Sequence, residues 1–285
     1  MNNFDKFNRI RNNADRNTLN ITNESEVSGD NGFKFFHILW LYPDVLNIHG
    51  GRGDIMGLLH ICNMLDIPVE IERWDTMRSD IPWEWPDLIY MNSGELKCAE
   101  DVVKALQRQR NGLDKFLERD KYIIAVASSG AILAESTKKL DGSTVKGLGL
   151  LGMQWKERES VWGDDIWFKT EDGQEVIGNQ IQVADVFLNE GQKPLGEIVY
   201  GRGNHGEGDE GARTGNVIFT NCLGPLVTKN PEYIAGLLRD AAVDAGIQVN
   251  GVISESDVEI ERKSAEYIKN FMLEKIKKAE KKAEK

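Results

Sequence analysis

The chain has 285 residues, 40% of them hydrophobic and 28% charged, with 46 acidic against 35 basic side chains and a formal net charge of −11. That length allows one sizeable domain or two small ones with a substantial buried core. The acidic balance excludes a general nucleic-acid or anionic-membrane surface as the expected function, and no apolar run reaches the roughly 18 residues of a spanning helix.

The N-terminus lacks the basic-then-apolar pattern of a secretory signal. Cys62, Cys98 and Cys222 are an odd count without metal or disulfide spacing. A reducing cytoplasm is therefore expected, with no metal or cofactor. The acceptor-like triplets Asn20-Ile21-Thr22 and Asn23-Glu24-Ser25 are chance matches in that setting.

Residues 1–32 are rich in Asn, Asp, Arg and Ser and poor in large apolar side chains, which predicts a mostly disordered leader. "FKFFHILWLYP" (33–43) predicts a first buried strand closed by Pro43. "DIMGLLHICNMLDI" (54–67) carries apolar residues at helical spacing. "PVEIERW" (68–74) alternates as a strand, and "DLIYMNSG" (87–94) is a strand running into a loop of small residues. Residues 99–119 predict one or two helices, and "KYIIAVASSG" (121–130) the next strand and turn. Alternating strands and helices indicate a parallel sheet covered on both faces. Ligands bind such sheets at the carboxyl ends of the strands, so the loops Asn92–Glu95 and Ala127–Gly130 are expected to lie side by side.

The second half reads as strands separated by Gly-rich or acidic turns, expected as antiparallel additions to the sheet. "NPEYIAGLLRDAAVDAG" (230–246) predicts a helix with Pro231 at its first position. The remainder predicts a long charged helix with Val258, Ala265, Ile268, Phe271, Met272 and Ile276 on one stripe and a solvated, fraying end. The domain expectation is a leader over 1–32, one domain over 33–250 and a helical tail over 251–285.

Three separated blocks carry a family resemblance. "LYPDVLNIHGGRGDIMGL" (41–58) resembles the opening signature of class I glutamine amidotransferases of the cobyric acid synthase type, in particular the GatD subunits that pair with the Mur-ligase-like MurT. "PDLIYMNSGE" (86–95) is similar to their strand and glycine loop. "PLGEIVYGRGNHGEGDEGARTGNVIFTNCLGPLVTKNPEYIAGLL" (194–238) is similar to their C-terminal block. The resemblance spans about residues 35–245. It implies a flavodoxin-like three-layer αβα fold, with a mainly parallel sheet and antiparallel additions. It also implies glutamine hydrolysis: a turn Cys attacks the amide, a His moves protons, and ammonia passes to a synthetase partner that contributes the acidic member of the triad.

The family's turn reads approximately Ala-Ile/Val-Cys-Gly-Gly-Tyr-Gln, whereas this chain has Ala127 at the Cys position. The family's base lies in Leu-His-Gly-Pro, and here "NCLGPLV" puts Leu223 at the His position. The chemistry needs a thiolate, because an unassisted hydroxyl is a poor nucleophile near neutral pH. It also needs a base in reach and backbone N–H groups facing the oxyanion. The pattern predicts a degenerate amidotransferase that keeps its fold and its surface for a Mur-ligase-like or other ATP-dependent amidating partner.

Two other readings stand beside it. Ala127-Ser128-Ser129-Gly130-Ala131 has the small-x-Ser-x-small form of a serine elbow, so a register shift of two would make Ser129 a relocated nucleophile. Cys98, beside the glycine loop, is the other candidate. Alternatively, Asn92, Ser93, Gly94, Ser128, Ser129 and Gly130 form a pocket for a glutamine-like ligand. Cys222 and Cys62 are expected in the core. Trp83 and Trp85 cover the core edge or meet a partner, and "GGRGD" (50–54) is a tight turn before a helix, without the Lys and spacing of a phosphate loop.

Overall fold

The computed structural model describes residues 9–13, 18–22, 34–206 and 208–283. The chain opens with a hairpin, β1 (Arg9–Asn13) and β2 (Thr18–Thr22). It then alternates through β3 (Phe36–Leu41), α1 (Gly51–Met64), β4 (Val69–Trp74), β5 (Leu88–Met91), α2 (Ala99–Gln107), α3 (Arg110–Glu118), β6 (Tyr122–Val126) and the single turn α4 (Gly130–Leu133). A run of strands follows: β7 (Ser136–Lys138), β8 (Thr144–Lys146), the long pair β9 (Met153–Thr170) and β10 (Glu175–Leu188), β11 (Gly196–Tyr200), β12 (Asp209–Glu210), β13 (Ala212–Thr214) and β14 (Val217–Thr220). Helices α5 (Leu226–Lys229), α6 (Pro231–Asp244) and α7 (Glu259–Ala283) complete the described chain.

The main sheet runs β1-β2-β4-β3-β5-β6-β14-β13. Its inner strands β4, β3, β5, β6 and β14 are all parallel. Ranked by their place in the chain they read 2-1-3-4-5, the flavodoxin-like order. Side chains alternate across the pleat with period two. Phe36, Ile38, Trp40, Leu88, Tyr90, Ile124 and Val126 therefore face one core shared with α1 and α6. Leu39, Leu41, Ile89, Met91, Ile123 and Ala125 face the other, shared with α2 and α3. Helices on both faces are what strands buried on both sides require, and the result is a three-layer αβα arrangement. Trp83 belongs to the second core, with its indole N–H 3.2 Å from Gln109 Oε1.

The second half pairs differently from a simple set of antiparallel additions. Only β13 is an antiparallel edge at that side; β14 enters parallel to β6, from Val217 opposite Ile123 to Thr220 opposite Val126. The remaining strands form a second sheet, β12-β11-β9-β7-β8 with β10 on β9, antiparallel except for β7 on β9. Periodicity identifies a strand, whereas its partner is chosen by contacts far away in sequence.

Both ends add to this frame. Where a disordered leader was expected, β1 and β2 pair and β2 joins β4 antiparallel, Ile21 opposite Ile71; the other residues up to 33 lie outside the described residues. The alternation Thr18-Leu19-Asn20-Ile21-Thr22 is a strand signal too short to stand out from its polar surroundings. At the other end, α7 lays Met272 into a small cluster with Trp167 and Ile177, bordered by Ala265, Ile268, Val199 and Tyr200. Lys275 reaches Asp164 at 2.9 Å. Phe271, expected on the buried stripe, is 49% exposed, and the helix extends through Ala283.

Met272→Ala removes the only fully buried side chain of α7. Large-to-small core substitutions cost about 2–5 kcal/mol, and so small a cluster belongs at about 2. Hydrogen exchange should show α7 amides about 30-fold less protected, with β3–β6 unchanged.

Candidate functional site

Strand β6 is apolar and buried throughout, so it delivers the chain to the carboxyl edge of the sheet on a fixed line. The next residue, Ala127, has φ 49. A left-handed backbone at a non-glycine residue costs about 1–3 kcal/mol and persists only where its surroundings impose it. Strand, strained residue and helix in this order are the geometry of a nucleophile elbow, and its apex is residue 127. The side chain at that apex is a methyl group.

The register shift that would place Ser129 at the apex does not occur. Ser129 is right-handed at φ −68 and 1% exposed. Its hydroxyl sits 3.0 Å from the Met91 carbonyl and 2.9 Å from that of Val126, donating between them. It ties the turn to the ends of two adjacent strands. An alcohol directed at carbonyls, with no base beside it, is not an activated nucleophile.

The two loops at the sheet edge meet. Ser128 Oγ accepts the Gly94 N–H at 3.0 Å, lies 3.1 Å from Ser93 Oγ, and bonds to the Gly94 carbonyl. Asn92 accepts the Trp40 indole N–H at 2.6 Å and donates to the Gly51 carbonyl at 3.1 Å. The turn before α1 must come so close that a Cβ on Gly51 would lie 2.6 Å from Asn92 Cγ. Gly130 is as tightly covered: a Cβ there would meet Phe219 at 2.3 Å and Trp155 at 2.8 Å.

The second sheet closes the remaining side, because β10 runs against the 127–129 turn. Asn179 of β10 exchanges backbone hydrogen bonds with Leu223, at 2.9 and 2.8 Å. Leu223 is 4% exposed and shares a core cluster with Ala127, Cys222 and Tyr90. Asn92, Ser93, Gly94, Ser128, Ser129 and Gly130 are thus brought together as a buried contact: Ser93, Gly94 and Ser128 bond one another, while the side chains of Asn92 and Ser129 bond neighbouring residues. The Gly94 N–H is taken by Ser128.

Cys62 and Cys222 are buried completely, and burial pushes both thiols up. Cys98 is half-buried at the start of α2. His37 lies 3.6 Å from Asp87 and 3.7 Å from Glu70, against the Trp85 ring. His205 stacks on Phe187, while His49 and His60 are exposed. Among the described residues no hydrogen bond joins a histidine to Ser129 or Cys98.

Two buried carboxylates were not singled out from the sequence. Asp54, in the first turn of α1, is 3% exposed and accepts the Val227 N–H at 2.8 Å. Burial raises its pKa from 3.8 to about 6, against the pull of the Val227 amide and the Tyr90 hydroxyl. Its place on the inward stripe with Leu58 and Ile61 was the available signal. Glu210 is fully buried; burial raises its pKa, while Thr220 Oγ1 at 2.7 Å and the Asn221 N–H at 2.7 Å oppose the shift. Asn204 joins this network through Gly211 and Asn221, so the Gly- and acid-rich loop around residues 201–211 is anchored to the end of β14.

The Asp54 shift has a definite sign. A folded pKa above the unfolded one stabilises fully below 3.8, and that contribution is lost as pH rises towards 6, by at most about 3 kcal/mol. Asp54→Asn retains an acceptor for Val227. Denaturant midpoints should fall less between pH 4 and 6 in the variant than in the parent; equal falls would remove Asp54 as the cause. Ser129→Ala leaves two carbonyls without their donor and should destabilise by about 1–2 kcal/mol in the same measurement.

Comparison with known proteins places this geometry in context. No family model matches the chain. The GatD subunit of lipid II isoglutaminyl synthase (glutamine-hydrolyzing) from Streptococcus pneumoniae is 25% identical over 208 residues, 72% of this chain and 80% of that protein. The subunit of the same name from Staphylococcus aureus is 22% identical over 231 residues, 80% and 94% of the two chains. Among solved structures, a glutamine amidotransferase overlays with TM-score 0.48 at 15% identity, covering 73% of this chain and 99% of its own. Another, from Thermotoga maritima, has TM-score 0.48 at 10% identity, covering 84% and 95%.

Proposed function

We propose, from the premise that this chain is a glutamine-amidotransferase-like protein of the GatD type, that it serves as a non-catalytic or regulatory subunit of an amidating assembly. Its partner is a Mur-ligase-like or other ATP-dependent synthetase. The observation that carries this reading is Ala127 at the left-handed apex of the elbow: the strain is kept, and the side chain has no lone pair with which to attack an amide. Leu223 at the base position supports it, since a buried isobutyl group cannot carry a proton. The relatives are named as subunits of a glutamine-hydrolyzing synthase, and the proposal puts this chain's departure from them at residues 127 and 223.

Relocated catalysis finds little support. Ser129 is committed to two carbonyls. Cys98 stands outside the elbow at the entry to α2. A glutamine sensor at the same loops is disfavoured because their N–H and hydroxyl groups are paired internally. The domain expectation is retained as part of the proposal: residues 33–250 form the amidotransferase-like unit, and 251–285 form a helical tail.

The test is ammonia release from glutamine by the purified chain, alone and with the ATP-dependent protein that co-purifies with it. Release should stay at the buffer background in both cases. Ala127→Cys should provide a thiol at the apex and still release none, because Leu223 offers no base. Robust release abolished by Ser129→Ala or Cys98→Ala would instead establish a relocated nucleophile.

A further inference from the structure

A groove of about 610 Å3 lies between the tip of the β9–β10 hairpin, the approach to β11, the β13–β14 turn and the first turns of α6. That volume is in the range of small-ligand sites. Its floor is apolar, made by Pro194, Leu195 and Leu237 with the ring of Tyr233. Gly236 keeps the helix wall low: a Cβ there would meet nothing nearer than Gln174 Nε2 at 3.8 Å.

The rim is dipolar. Lys193 and Arg213 are neighbours across a backbone hydrogen bond of 3.1 Å, and Arg213 Nε is held by the Gly215 carbonyl at 2.9 Å. Asp172 stands on the hairpin tip, fixed by Thr170 and by Gln174 Nε2 at 2.9 Å. Asp240 lines the same groove from α6. Lys193 also meets Glu171 at 3.2 Å, but both are mostly exposed, and such surface pairs are weak enough to exchange for a ligand.

The independent observation is Tyr233. It is 8% exposed, and its hydroxyl is buried without a hydrogen-bond partner among the described residues. It sits where the groove meets a second cavity of about 320 Å3 that shares Gln174 and Tyr233. A buried polar group in this state is uncommon and costly. Burial raises its pKa, with Arg213 opposing the shift and Asp172, Cys222 and Glu210 adding to it.

The geometry points to this groove as a binding site for a short zwitterionic peptide. The peptide's terminal carboxylate faces Lys193 and Arg213, its ammonium group faces Asp172 and Asp240, and its side chains rest on Leu195 and Leu237. A backbone amide or carbonyl of the peptide satisfies the Tyr233 hydroxyl. A free amino acid fills only a small part of the volume. The inference is independent of whether Ala127 has lost its chemistry.

Trialanine titrated into the full chain, followed by calorimetry and amide NMR, tests it. Saturable binding is expected, with shifts at residues 193, 213 and 240. N-acetyl-trialanine amide should bind at least tenfold more weakly. Arg213→Gln and Asp240→Asn should each weaken trialanine at least tenfold without changing Tm, since both side chains are exposed. Tyr233→Phe should weaken it severalfold while Tm holds or rises, because the partnerless hydroxyl is gone. Absence of saturable binding overturns the proposal, as does equal affinity for the blocked peptide or unaltered affinity in Arg213→Gln and Asp240→Asn.

Discussion

One left-handed residue, held against its own preference, organises the centre of this molecule. Ala127 follows a buried parallel strand and turns the chain sharply into α4. Alanine does not choose that conformation. It is imposed by Ser129, which fastens the turn to the carbonyls of β5 and β6, and by Ser128, which locks it to the glycine loop. The same bonds that make the elbow possible also close it. In a working hydrolase of this geometry the apex would carry a nucleophile and the loop amide would wait for an oxyanion. Here the apex carries the Ala127 methyl group, and the Gly94 N–H is bonded to Ser128.

Closure is also a matter of packing from outside the parallel sheet. The second sheet brings β10 against the turn and pairs Asn179 with Leu223. Trp155 and Phe219 cover Gly130 with no room for a Cβ. Around this apolar lid the structure keeps a small number of buried carboxylates, each with donors aimed at it. Asp54 couples α1 to the segment following Leu223, and Glu210 couples the 201–211 loop to the end of β14. Removing a partner from such a group leaves a desolvated charge, which costs more than the bond itself contributes. These residues therefore bind the family's blocks together whether or not chemistry takes place between them.

The C-terminal helix continues the theme of tertiary contacts at the site's margin. Lys275 reaches Asp164 and Asp165, Asn179 donates to Asp165, and Asn179 pairs with Leu223. A segment beyond the reach of the family resemblance is thus two side chains removed from Leu223. The open, dipolar groove beside α6 lies on the same second sheet, at the hairpin tip rather than at the elbow.

Much of this was legible in order along the chain. The apolar runs at 36–41, 88–91 and 122–126 and the alternating run at 69–74, spaced by helical patterns, specify a covered parallel sheet because each local choice depends on near neighbours. Ala127 and Leu223 drew notice in the sequence because they stand inside blocks that resemble the family's. What the sequence could not decide was partner choice and register at long range. It left open that β14 enters parallel beside β6, that β7–β12 form a sheet of their own, that Thr18–Thr22 joins an edge, and that Ser129 sits two residues past the apex with its hydroxyl turned inward. Those outcomes depend on which distant surfaces meet and exclude water, a property of the assembled fold that no local spacing encodes.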